Sequence, residues 1–134
     1  MKTLLIAPWS MMLLAASCDS EQKIEPPLEP ATYIGEFFRS SPNADWRVAN
    51  VTITFEHGSF IGESDIRSYP AICRGTYKVV GNKITFENEC FFTAEFDWTF
   101  ILDGDFLRET HGDEIWLTRE YGDNVFDLYK LRRQ

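Results

Sequence analysis

The run Cys73-Arg-Gly-Thr-Tyr-Lys-Val-Val-Gly-Asn-Lys-Ile-Thr-Phe-Glu-Asn-Glu-Cys90 decides how this chain folds. Gly81-Asn82 is a two-residue turn signal, and the residues on either side alternate apolar and polar, as in a half-buried hairpin. With that turn, Val80 faces Lys83, and Tyr77 and Val79 share a face with Ile84 and Phe86. Thr76, Lys78, Thr85 and Glu87 take the other face. Cys73 lies seven residues before Val80 and Cys90 seven after Lys83, so the same register sets the two cysteines opposite each other. The pair flanking such a turn is hydrogen-bonded, and an odd number of steps leads to a non-hydrogen-bonded pair, where side chains approach closest. That spacing suits a disulfide, worth about 3 kcal/mol if it closes this loop. Two buried free thiols, or a bulge that breaks the register, are the alternatives.

Outward from this hairpin the same pattern repeats. Ala49, Val51, Ile53 and Phe55 fall on one face of a strand, His57-Gly58 turns the chain, and Phe55 then opposes Phe60. Turn pairs at Asp103-Gly104, Gly112-Asp113 and Gly122-Asp123 separate runs near 96–102, 105–111, 114–120 and 125–132. With a first run at 32–39, this makes eight or nine strands in sequential, up-and-down order, and no segment carries a helical period. The expected fold is all-β, and a closed antiparallel barrel is the simplest way to leave no edge strand unpaired. An open sheet or two packed sheets would also satisfy the pattern. A chain of 134 residues allows one domain, and an aromatic content of 15% helps so small a domain fill its core.

Gly35-Glu36-Phe37 on the first strand and Tyr129-Lys130-Leu131-Arg132-Arg133 on the last resemble the closing signature of lipocalin-like barrels. The resemblance covers about residues 32–133 and extends to the small lipocalin-like domains of secreted bacterial lipoproteins. In such barrels a Gly-x-Trp packs beneath a basic side chain from the final strand. Here Phe37 stands in the Trp position, which implies a weaker cation–π contact from Arg132 or Arg133. The resemblance also implies a small apolar ligand. Phe96, Trp98, Phe100 and Leu102 alternate on one face, and Phe55, Tyr77, Phe86, Trp98 and Phe100 are the expected pocket lining. The opposing expectation is a solid interior, because small barrels are commonly filled by their own side chains and nineteen aromatics lie between Tyr33 and Arg133.

Residues 1–17 combine a positive start at Lys2, an apolar stretch from Thr3 to Ala16 and a small-residue end, the pattern of an export signal too short to be a good membrane span. Leu14-Ala15-Ala16-Ser17-Cys18 resembles the lipobox of bacterial lipoproteins, which implies lipidation of Cys18 and an anchor in the cell envelope. An ordinary secretory signal that happens to contain a cysteine is the other reading. Asp19 and Glu21 resemble tags that direct some outer-membrane lipoproteins to the outer face, although a periplasmic face fits as well. Residues 18–31, with three prolines and several acids, form an extended tether, and residues 32–134 the barrel domain. In an oxidising compartment Cys73 and Cys90 should pair.

A net charge of −8 excludes a nucleic-acid partner, because phosphate binding rests on Lys and Arg. His57 and His111 each precede a turn glycine without a nearby His or Cys, which gives no zinc spacing. Asp103-Gly104-Asp105 lacks the remaining ligands of a calcium loop. Glu95, Asp97, Glu109 and Glu114 have no spacing that fixes a carboxylate pair, and no serine sits in a nucleophile elbow. The expected protein is therefore not an enzyme, has no cofactor or metal, and binds either a small hydrophobic ligand or another envelope protein. For the second case an apolar patch outside the barrel is expected around Ile61, Ile101 or Trp116.

Overall fold

The computed structural model describes residues 28–93 and 95–134. Cys18, the export signal and most of the tether lie outside the described residues. Eight strands follow one another: β1 (Ala31–Ser40), β2 (Ala49–Glu56), β3 (Ser59–Ser64), β4 (Arg74–Val80), β5 (Lys83–Asn88), β6 (Gly104–His111), β7 (Glu114–Gly122) and β8 (Val125–Arg133). Each pairs antiparallel with its neighbour and β1 pairs with β8, so the barrel closes. Closure satisfies the backbone of both outer strands, which an open sheet would leave unpaired.

The hairpins take the registers that the turns predict. Val80 faces Lys83 and Tyr77 faces Phe86 across Gly81-Asn82, while Phe55 faces Phe60 across His57-Gly58. Ala49, Val51, Ile53 and Phe55 are all buried. The seam between β1 and β8 depends on Gly35: a Cβ there would collide with the backbone carbonyl of Lys130. The last turn is displaced by one residue. Asp123 and Asn124, both left-handed at φ 52° and 59°, form it, and Gly122 pairs with Val125 beside a bulge.

The run 96–102 is not a strand. Asp97 accepts hydrogen bonds from the Thr99 backbone N–H at 2.9 Å and its hydroxyl at 2.7 Å. This local bonding competes with an extended conformation and winds Trp98–Phe100 into a 3-10 turn. Removing that run leaves eight strands. The alternation there is broken: Phe100 and Leu102 turn into the core, whereas Trp98 is 63% exposed.

The two barrel ends differ. The tight turns at 57–58, 81–82 and 112–113 share one end with Leu28 and the start of β1. The long links 41–48, 65–73 and 89–103 gather at the other. Two of these links are zipped together, with Ala71 N–H donating to the Phe100 carbonyl at 2.9 Å and Leu102 N–H to the Ala71 carbonyl at 3.0 Å. They form a cap over that end.

Candidate functional site

The interior is filled from end to end by aromatic side chains in mutual contact. Phe55 meets Tyr77 at 5.0 Å between ring centroids, Phe86 meets Phe106 at 5.7 Å, and Phe106 meets Tyr129 at 5.7 Å. Tyr129 in turn tilts against Phe37 at 4.6 Å, and Phe37 meets Tyr69 and Phe100 of the cap. Of the expected pocket lining, Phe55 thus packs on Tyr77 and Phe86, and Phe100 on Phe37 and Tyr69, all four as core. The fifth, Trp98, stands outside on the cap. Leu28 and Tyr33 lie at the opposite end, where Leu28 packs against the core and its carbonyl accepts from the Tyr77 hydroxyl at 3.3 Å.

The closing signature is realised in part. Gly35 and Phe37 occupy the seam, Phe37 fully buried. Arg132 points outward and Arg133 lies at the rim of the barrel end beside Tyr33, so neither reaches Phe37: Arg132 pairs with Glu114 at 3.0 Å and with Asp113 at 3.4 Å, and Arg133 with Glu29 at 3.4 Å. A buried cation comes instead from β1, and it lies over other rings than Phe37. Arg39 lies two residues beyond Phe37 on the same inward face, with its guanidinium 3.9 Å from the centre of the Phe100 ring and 4.8 Å from that of Tyr121. Its Nε donates to Asp127 Oδ1 at 2.7 Å, its second amino group to Oδ2 at 2.9 Å, and its first to Asp97 Oδ2 at 3.3 Å. Burial alone would lower this guanidinium, but the hydrogen bonds and charge of Asp127 outweigh it and hold Arg39 above its ordinary value. One buried cation therefore ties β1, β8 and the 3-10 turn together.

The cap is anchored at its roots. Cys73 ends the 65–73 link and Cys90 is the second residue of the 89–103 link, and a disulfide joins them with Cα atoms 6.3 Å apart. The hydrogen bond from Glu89 N–H to the Arg74 carbonyl, 3.0 Å, extends the β4–β5 register toward them. Ser68 adopts φ 59°, a left-handed conformation costly for a residue with a Cβ. The Tyr69 hydroxyl donates to the Arg47 carbonyl at 2.5 Å and accepts from the Arg39 N–H at 3.2 Å, which pins the 41–48 link to the cap. Trp46 stacks on Tyr69 at 6.1 Å and meets Phe100 edge-on at 5.5 Å.

Between these links lies a cleft of about 320 Å³, walled by Trp46, Tyr69, Phe96 and Phe100 and edged by Asp45, Arg47, Arg67 and Asp97. Asp97 sits below the usual carboxylate range, chiefly through its hydrogen bonds from Thr99 and then through Arg39. The other three carboxylates are dispersed. Glu95 is exposed on the long link, Glu109 accepts from His111 at 3.2 Å, and Glu114 pairs with Arg132 and receives the Trp116 indole at 2.5 Å. Among the described residues no group of three His, Cys, Asp or Glu converges as metal ligands. Outside the barrel Ile61 is 59% exposed, whereas Trp116 is half-covered by His111 and Lys130.

Sequence patterning missed Arg39, Asp127 and Trp46. Arg39 is the single charge on the Tyr33, Gly35, Phe37 face of the first strand, and Asp127 interrupts the face of Val125, Tyr129 and Leu131 on the last, a signal that a paired reading of the two strands would have caught. Comparison with protein-family models, with curated proteins and with solved structures returns no match, so the likeness to lipocalin-like proteins rests on the eight-stranded up-and-down barrel itself.

Proposed function

We propose that this chain is a lipid-tethered, non-catalytic binding module of the bacterial envelope that works through the capped end of its barrel. One observation carries the reading: the interior is occupied by its own side chains, while exposed aromatics and a cleft collect at the end opposite the tether. Trp46 and Trp98, 42% and 63% exposed, belong to that end. An apolar ligand inside the barrel would have to displace packed rings, each burial worth about 1.5 to 3 kcal/mol. β1 runs ten residues from the tether to the cap, so a Cys18 anchor would present the cleft away from the membrane, roughly 30 Å along the strand. A macromolecular partner at the envelope fits the same surface.

Photo-reactive residues placed at Val48 and Trp98 on the cap, and at Thr110 on the far end, test this in cells. Adducts should form from the two cap positions and not from Thr110, and Cys18→Ser should release the protein from the membrane fraction. Equal labelling from both ends, or none from the cap, overturns the reading.

A further inference from the structure

The chemistry of the cap cleft narrows what it takes. We propose that it binds an uncharged saccharide, a specification that rests on the binding-module reading above. Its edge carries two arginines, Arg47 and Arg67, and two aspartates, Asp45 and Asp97, around the exposed ring of Trp46. An anionic ligand would meet both carboxylates, and a cationic one both guanidinium groups. A purely apolar ligand would strip water from these four charges without replacing their hydrogen bonds, which is costly. A sugar ring satisfies both requirements. Its C–H face lies against an aromatic ring, and each hydroxyl both donates and accepts.

Donors and acceptors of that kind stand ready. Asp97 is oriented from behind by Thr99 and Arg39, so it meets a ligand as a fixed acceptor. The Arg67 guanidinium, the Ser68 hydroxyl and the Trp46 indole N–H have no hydrogen-bond partner among the described residues. Ser68 holds its left-handed backbone in the cleft wall, where strain often marks a binding segment. A shallow, preorganised site of this size should bind weakly, with Kd on the order of 1 mM or somewhat tighter.

Calorimetric titration of the full-length protein with neutral tetrasaccharides of glucose, xylose and N-acetylglucosamine tests the proposal, with a tetra-uronate and decanoate as charged and apolar controls. At least one neutral series should bind saturably, and Trp46→Ala and Arg67→Ala should each weaken it about tenfold or more. Arg67→Ala, at an exposed side chain, should leave the thermal midpoint unchanged and so separates binding from folding. Binding that is unchanged in either variant, absent for every neutral sugar up to about 10 mM, or confined to the uronate or decanoate overturns the proposal. Cap-specific photo-adducts together with no sugar binding would remove the saccharide and leave the binding module. Loss of the cap adducts would remove the module itself.

Discussion

Arg39 and Asp127 face each other across the seam where the first and last strands meet, joined by two hydrogen bonds of 2.7 and 2.9 Å at side chains 6% and 2% exposed. They are cross-strand partners in the β1–β8 ladder. Tyr121 also donates to Asp127, at 2.7 Å. Removing Asp127 leaves the buried Arg39 with only the more exposed Asp97 as counter-charge, and removing Arg39 leaves the buried Asp127 with only the Tyr121 hydroxyl. Asp127→Ala or Arg39→Ala should therefore destabilise the fold by about 3 to 5 kcal/mol, whereas Arg39→Met with Asp127→Leu should cost much less than either alone. Chemical denaturation of the four proteins checks this, and a double variant as unstable as the singles would contradict it.

The Cys73–Cys90 bond closes a loop with a sequence separation of 17. Chain entropy assigns such a loop about 3 kcal/mol. Cys73→Ser with Cys90→Ser should lose a stability of that size. Peptide mapping without reductant should recover the two half-cystines linked. Free thiols in the oxidised protein would refute the β4–β5 register.

Phe100 and Trp98 are neighbours on one short turn with opposite exposure. Phe100→Ala removes a ring that meets Phe37, Tyr69 and Arg39, and should cost about 3 to 5 kcal/mol. Trp98→Ala should change stability by no more than about 0.5 kcal/mol. A large loss on Trp98→Ala would restore the inward strand that alternation suggested at 96–102.

Alkaline pH should unfold the barrel through its tyrosines. Burial raises the Tyr69, Tyr77 and Tyr121 hydroxyls above their ordinary value near 10, and pushes that of Tyr129 well above it. Between the unfolded and folded values the native state holds more protons, so stability falls as pH rises. It is fully present below pH about 10 and lost above it. The absorbance titration of the buried phenols should therefore coincide with loss of near-ultraviolet circular dichroism. Tyrosine ionisation complete at pH about 10 with the fold intact would contradict that burial.

Sequence alone determined the strands, because a two-residue turn and period-two alternation are short-range properties of the chain. Phe55 opposite Phe60, Tyr77 opposite Phe86 and the pairing of Cys73 with Cys90 all follow from counting outward from a turn. Only the tertiary structure decided the capped end. Ala71 meets Phe100 and Leu102 through contacts with no trace in local periodicity, and Arg39 reaches Asp127 across 88 residues, a pairing that only closure of the barrel brings about. The same alternation that correctly placed β2 misplaced 96–102, where Asp97 bonds its own backbone and the barrel needs a lid more than a ninth strand. Whether an inward face encloses a pocket or a solid core depends on how rings from eight strands fill one volume, and that is settled by packing rather than by pattern.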